Sequence, residues 1–143
     1  MKKEGELHFF TPDTSGKGVW LAEEGVSAGF PSPADDFKET RISLDKVAVK
    51  NEAATFYARV AGQSMIEAGL DDGDLLVIDR SLEPQDGKIA VCLIDGEFTV
   101  KRLNVEKDCV WLVAENKRYK PIQVTEENEL MIWGIVTHVL KAL

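Results

Sequence analysis

Two residues of this 143-residue chain have the type and setting for acyl-transfer chemistry. Ser64 stands in Gly62-Gln63-Ser64-Met65-Ile66-Glu67, and Lys101 in Phe98-Thr99-Val100-Lys101-Arg102-Leu103. A serine hydroxyl is a weak nucleophile until a base takes its proton, and lysine is that base in one variant of the serine-protease constellation. Lysine does this only when neutral. Its ordinary pKa of about 10.4 makes deprotonation at pH 7 cost roughly 4.6 kcal/mol, and burial against apolar groups reduces that cost. Lys101 lies mid-strand among apolar neighbours, whereas Lys88, Lys107 and Lys117 fall at turns or strand ends, where the ammonium stays hydrated. Upstream, Ala28-Gly29-Phe30-Pro31-Ser32-Pro33 has the character of a substrate. Ala28 fits a tight pocket, Gly29 lets backbone approach closely, and Pro31 biases Phe30 to an extended shape suited to docking strand-like in a cleft. Together these residues describe an enzyme that carries its own substrate, where intramolecular delivery supplies a high effective concentration.

Each of these features also has a simpler reading. Ser64 and Glu67 fit the S-x-x-E capping box, with Gly69 at the helix C-terminus. A serine so placed has backbone N–H groups near it that hold a developing oxyanion, and the amides of Gln63 and Ser64 are the candidates. Lys101 also fits an outward-facing lysine on an edge strand. Period-two counting puts Thr99, Lys101 and Leu103 on one face and Phe98 and Val100 on the other; if the latter face the core, Lys101 needs cover, which a docking N-terminal arm would supply. Ala28-Gly29 by itself is an ordinary linker.

The elements that position these residues are strands. Residues 54–60 alternate with period two, 75–79 form a short apolar strand after the turn Asp71-Asp72-Gly73, and 88–94 run into Asp95-Gly96, a dipeptide favoured in two-residue hairpin turns. Residues 98–103 return, and 109–113, 119–124 and 131–140 complete the set. The expected fold is mostly β, about seven strands with one short helix at most, over residues 41–143. Residues 1–40, rich in glycine and proline and without periodicity, read as a flexible, extended N-terminal arm carrying Ala28-Gly29; its Phe9, Phe10, Trp20, Leu21 and Phe30 suit docking on a surface.

Composition excludes several functions. A net charge of −8 opposes a surface built for nucleic acid, and the longest basic cluster is only Lys117-Arg118 with Lys120. Cys92 and Cys109 sit in apolar runs and read as small buried hydrophobes, with no Cys-x-x-Cys spacing. His8 and His138 stand apart, so no metal or other cofactor is expected. The first 30 residues lack the apolar core of a signal peptide, and no run approaches a membrane span, so the expected location is the cytoplasm.

Gly29-Phe30-Pro31-Ser32-Pro33-Ala34, Gly62-Gln63-Ser64-Met65, Asp72-Gly73-Asp74-Leu75-Leu76, Asp95 to Leu103 and Trp133 to Ala142 together resemble the LexA/UmuD family of self-cleaving Ser/Lys peptidases of the bacterial SOS response. The resemblance runs from about Ala28 to the C-terminus and is poor before Val26. It implies a LexA-like C-terminal-domain fold, a β-clip or partly open barrel. It implies Ser64 as nucleophile, Lys101 as general base and Ala28-Gly29 as the scissile bond. It further implies homodimers, cleavage stimulated by RecA filaments on single-stranded DNA, and a shortened product that joins a UmuC-type error-prone polymerase subunit in translesion synthesis. The arm is too short and not basic enough for the DNA-reading domain of a repressor, so no direct sequence-specific DNA binding is expected. Two alternatives stay open: a signal-peptidase-like protease acting in trans, disfavoured by the absent anchor, and a non-enzymatic dimeric interaction module.

Overall fold

The apolar runs become antiparallel strands. The computed structural model describes residues 7–22, 28–29 and 39–143. In chain order the strands are β1 (His8–Phe10), β2 (Val19–Ala22), β3 (Glu39–Ile42), β4 (Thr55–Arg59), β5 (Leu75–Asp79), β6 (Ile89–Ile94), β7 (Glu97–Val105), β8 (Val110–Val113), β9 (Ile122–Val124) and β10 (Leu130–Leu140). A single α-helical turn, α1 (Leu44–Ala48), and two 3-10 turns, Glu52–Ala54 and Ile66–Ala68, interrupt them. Eight strands form one sheet in the order β1-β4-β5-β10-β6-β7-β8-β9, and β2 pairs with β3 in a separate ribbon. The mostly-β expectation holds. Part of the expected arm lies in this architecture: β1 is the outer strand of the large sheet, and the ribbon spans residue 40. The predicted extended conformation at Phe30-Pro31 lies outside the described residues.

β10 is the spine of the sheet. Leu130–Ile135 pair with β6 and Ile135–Leu140 with β5, with register shifts between Ile132 and Gly134 and between Val136 and His138. Gly134 sits at the first of these shifts, where a Cβ would lie 2.5 Å from Cγ2 of Ile78. The hairpin between β6 and β7 turns at Asp95 (φ 49°) and Gly96 (φ 82°), the positive-φ pair that a tight hairpin requires.

Both faces of the central strands are covered. Val91 and Val100 join a cluster with Ala58, Leu76 and Ile78, whereas Ala90, Cys92 and Leu103 join a second with Leu112 and Ile135. Successive residues of β6 thus feed opposite cores, as strand pleating dictates. β7 lies between β6 and β8, although β8 pairs only with its Arg102–Val105 half, and the outward-facing reading of Lys101 is corrected: the side chain is buried, on the same face as buried Leu103. Cys109 also departs from expectation. It is half-exposed beside Glu106 rather than buried, because it precedes β8 in the tight connection from β7, where Glu106 N–H donates to its carbonyl.

Candidate active site

Ser64 follows β4, and Lys101 sits in the middle of β7. Four inter-strand steps separate β4 from β7 in the sheet, which in a flat sheet is roughly 19 Å at about 4.8 Å per step. Curling of the sheet and the turn after β4 close that gap: Lys101 Nζ lies 3.3 Å from Ser64 Oγ.

The turn is shaped from below by the connection between Leu70 and β5. Val60 N–H donates to the Asp74 carbonyl and Gly73 N–H to the Val60 carbonyl, both at 2.8 Å. Gly62, with φ 99°, donates its N–H to Asp72 Oδ1 at 2.9 Å. Asp74, buried at 7% exposure, accepts from Asp71 N–H and from the Lys141 ammonium. Burial pushes the Asp74 carboxyl up, but the Lys141 and Asp71 hydrogen bonds outweigh it and hold the group below the ordinary carboxylate value.

From above, the segment after β8 clamps the same turn. Asn116, 7% exposed, donates its side-chain N–H to the Gln63 carbonyl at 2.7 Å. Glu67 N–H donates to the Glu115 carbonyl at 2.8 Å, and the Glu115 N–H lies 3.4 Å from the sulfur of buried Met65. The Glu115 carboxylate is ion-paired with Arg102, the neighbour of Lys101 on β7. One short segment therefore ties the serine turn to the strand that carries the lysine.

The capping-box expectation for Ser64 is overturned. The 3-10 turn Ile66–Ala68 has Met65 as its N-cap, no side chain caps it, and the Glu67 amide bonds to Glu115 instead. Gly69 does end the turn in the left-handed region. Ser64 is left half-buried with its hydroxyl directed to Lys101.

Lys101 is 6% exposed. Its Nζ reaches Thr99 Oγ1 at 2.6 Å and the Val100 carbonyl at 3.2 Å besides Ser64. Burial lowers its pKa, with a small opposing pull from Cys92; the Cys92 thiol, itself buried, is pushed up to about 12. Among the described residues no carboxylate pairs with Lys101, the condition under which an amine gives up its proton most readily. None of the described residues accepts a hydrogen bond from the amides of Gln63 or Ser64.

Ser64 and Lys101 open onto a cleft of about 680 Å³ also lined by Leu7, Gly62, Gln63, Thr99, Tyr119 and Ile122. Ala28 and Gly29 form an exposed bend that does not line this cleft, and a Cβ on Gly29 would meet nothing within 4 Å. The structure brings serine and lysine together and leaves the predicted scissile bond outside. Sequence reading missed Thr99, Glu115 and Asn116. Thr99 was within reach of it, two residues before Lys101 on the same strand face. Asn116 contacts Gln63 from 53 positions away, and no local pattern marks it.

Among the described residues no three His, Cys, Asp or Glu side chains group as a metal site, and no helix is long and apolar enough to cross a membrane.

Residues 21–137 match the family described as Peptidase S24-like. Protein ImpA of Salmonella typhimurium is 44% identical over 121 residues, covering 84% of this chain and 81% of that protein. Protein MucA of Escherichia coli is 43% identical over 117 residues, covering 80% and 79%. The LexA repressor of Oleidesulfovibrio alaskensis is 41% identical over 111 residues, 78% of this chain but 53% of the repressor.

Proposed function

This chain belongs to the Peptidase S24-like family, and on that premise we propose that it is a self-cleaving serine endopeptidase of the SOS response, with Ser64 as nucleophile, Lys101 as general base and Ala28-Gly29 as the bond it cuts. The observation that carries the reading is the 3.3 Å approach of Ser64 Oγ to the Nζ of a lysine that is 6% exposed. A neutral amine has two N–H bonds and one lone pair. Thr99 Oγ1 and the Val100 carbonyl suit the two N–H bonds, which directs the lone pair at the Ser64 hydroxyl.

The reaction proceeds from that arrangement. Lys101 Nζ takes the Ser64 proton as Oγ bonds to the Ala28 carbonyl carbon. The oxyanion so formed draws on the amides of Gln63 and Ser64. As the Ala28–Gly29 bond breaks, the Lys101 ammonium returns its proton to the Gly29 nitrogen. Water then attacks the Ala28 ester with Lys101 again as base, freeing Ser64 and leaving a carboxylate on Ala28.

The segment bearing Ala28 and Gly29 must move into the cleft before this chemistry starts. A partner that favours the seated arrangement accelerates cutting by shifting that equilibrium, the role assigned here to a RecA filament on single-stranded DNA. The shortened chain then serves, as a cytoplasmic homodimer, as the accessory subunit of a UmuC-type translesion polymerase.

The test is mass spectrometry of the purified chain held at alkaline pH, with Ser64→Ala and Lys101→Ala in parallel. The expected result is a species beginning at Gly29 in the parent only, at a rate independent of protein concentration. A rate that rises with concentration would assign the activity to a protease acting in trans. Intact chains throughout, even with activated RecA filament, would reduce the site to an interaction module. Because Ser64 caps nothing, Ser64→Ala is expected to change stability by less than about 0.5 kcal/mol.

A further inference from the structure

β1 is seated on the sheet by contacts that do not pass through Ala28-Gly29. It pairs with β4 at His8–Arg59, Phe9–Ala58 and Phe10–Tyr57. The Phe9 ring lies 4.7 Å from Trp133 and 5.1 Å from Phe98, centroid to centroid, and Leu7 and Phe9 both pack on the first core cluster. Further along, Thr14 Oγ1 donates to Glu52 Oε1 at 3.0 Å, and Val19–Ala22 pair with Glu39–Ile42. Gly18 passes so close to Ile42 that a Cβ would sit 2.5 Å from the Ile42 carbonyl carbon. Every one of these contacts joins a residue before position 28 to a residue after position 29. Hydrolysis between them breaks none of the contacts and removes only the tether.

We propose that the outer edge of β4, with the apolar surface made by the Phe98 and Trp133 rings, is a binding site for an extended peptide, and that β1 keeps the chain's own N-terminal fragment on it after the cut. This rests on the peptidase reading only for where the cut falls. The ligand class follows from β1 and the residue before it: a strand that pairs through its backbone and half-buries apolar side chains at alternate positions, Leu7 and Phe9. Loss of the tether turns an intramolecular contact into a bimolecular one, so retention becomes concentration-dependent. Cutting alone leaves the β4 edge covered, and Leu7 stays on the lip of the cleft beside Ser64. Uncovering that edge requires dilution or a competing strand.

The experiment uses the full chain nicked in two ways: by its own activity at alkaline pH, and as Ser64→Ala carrying a recognition sequence for an added protease at positions 24–30. Each nicked sample is passed over a sizing column at micromolar concentration, with and without urea, and the fractions are weighed by mass spectrometry. The expected result is that the N-terminal fragment co-elutes with the remainder natively and separates in urea. Phe9→Ala should weaken retention roughly tenfold or more, through lost apolar burial. Native separation of the fragment from the chain nicked by the added protease would overturn the proposal. Retention there, combined with no self-cutting in the parent, would uphold the strand site and sink the peptidase reading instead.

Discussion

Thr99 Oγ1 accepts a hydrogen bond from Lys101 Nζ at 2.6 Å, closer than the 3.3 Å between that nitrogen and Ser64 Oγ. The threonine therefore both orients the amine and favours its charged form, since an acceptor stabilises an ammonium more than an amine. Thr99→Val keeps the shape and removes the acceptor. The acid limb of the cleavage-rate profile is expected to move to lower pH, while the plateau rate falls because the amine is less well aimed. A profile that coincides with the parent's would show that Thr99 has no part in positioning Lys101.

For the parent, the proposed mechanism has the rate rise about tenfold per pH unit, because in it only the neutral fraction of Lys101 acts as base. The rise should level off below the ordinary lysine value of about 10.4, because burial lowers the pKa of Lys101. A rate independent of pH between 7 and about 10 would assign the proton transfer to another group.

The same burial carries a stability consequence. With its folded pKa depressed, Lys101 opposes folding while protonated. Its contribution improves as pH rises from the lowered value to the unfolded value of about 10.4, and is lost again as pH falls back through that window. Lys101→Met is therefore expected to stabilise the chain at pH 7, with a gain that shrinks above pH 10. Urea melts at the two pH values measure it, and a gain independent of pH would indicate a packing effect alone.

Asn116, on the segment after β8, holds the Gln63 carbonyl with its side-chain N–H. Asn116→Ala removes that donor and is expected to cost about 1–2 kcal/mol in denaturant melts. Self-cleavage should slow by more than the fraction unfolded accounts for, because the serine turn loses its upper anchor. Slowing that matches the unfolded fraction alone would make Asn116 a purely structural residue.

Gly134→Ala places a methyl 2.5 Å from Ile78 Cγ2 at the buried register shift where β10 passes from pairing with β6 to pairing with β5. Overpacking there is expected to cost about 1–3 kcal/mol, read as a lowered midpoint in thermal or urea unfolding. An unchanged midpoint would mean that the sheet yields freely at the β10 bulge.

Strand positions were legible in the chain because pleating imposes a period of two on whatever is buried, and because Asp95-Gly96 supplies the positive φ that a short hairpin needs. β5 spans the predicted 75–79, and the other predicted strands of the sheet appear with shifted ends. The environment of Lys101 was not legible. Period-two counting told which residues share its face, but not that a second apolar cluster covers that face, because the cluster is assembled from β6, β8 and β10 as well as β7.

The pairing of residue types, a serine after one strand and a lysine within another, was determined by the sequence itself, together with the hairpin register that fixes which way the lysine leaves its strand. The distance between them belonged to the tertiary structure alone. Strands four places apart in a sheet approach only if the sheet curls, and curling is set by bulges, by Gly134 and by packing across both faces. The clamp of Glu115 and Asn116 on the serine turn, and the packing of Phe9 against Phe98 and Trp133, arise the same way. They join residues remote in the chain, whose partnership no local pattern encodes.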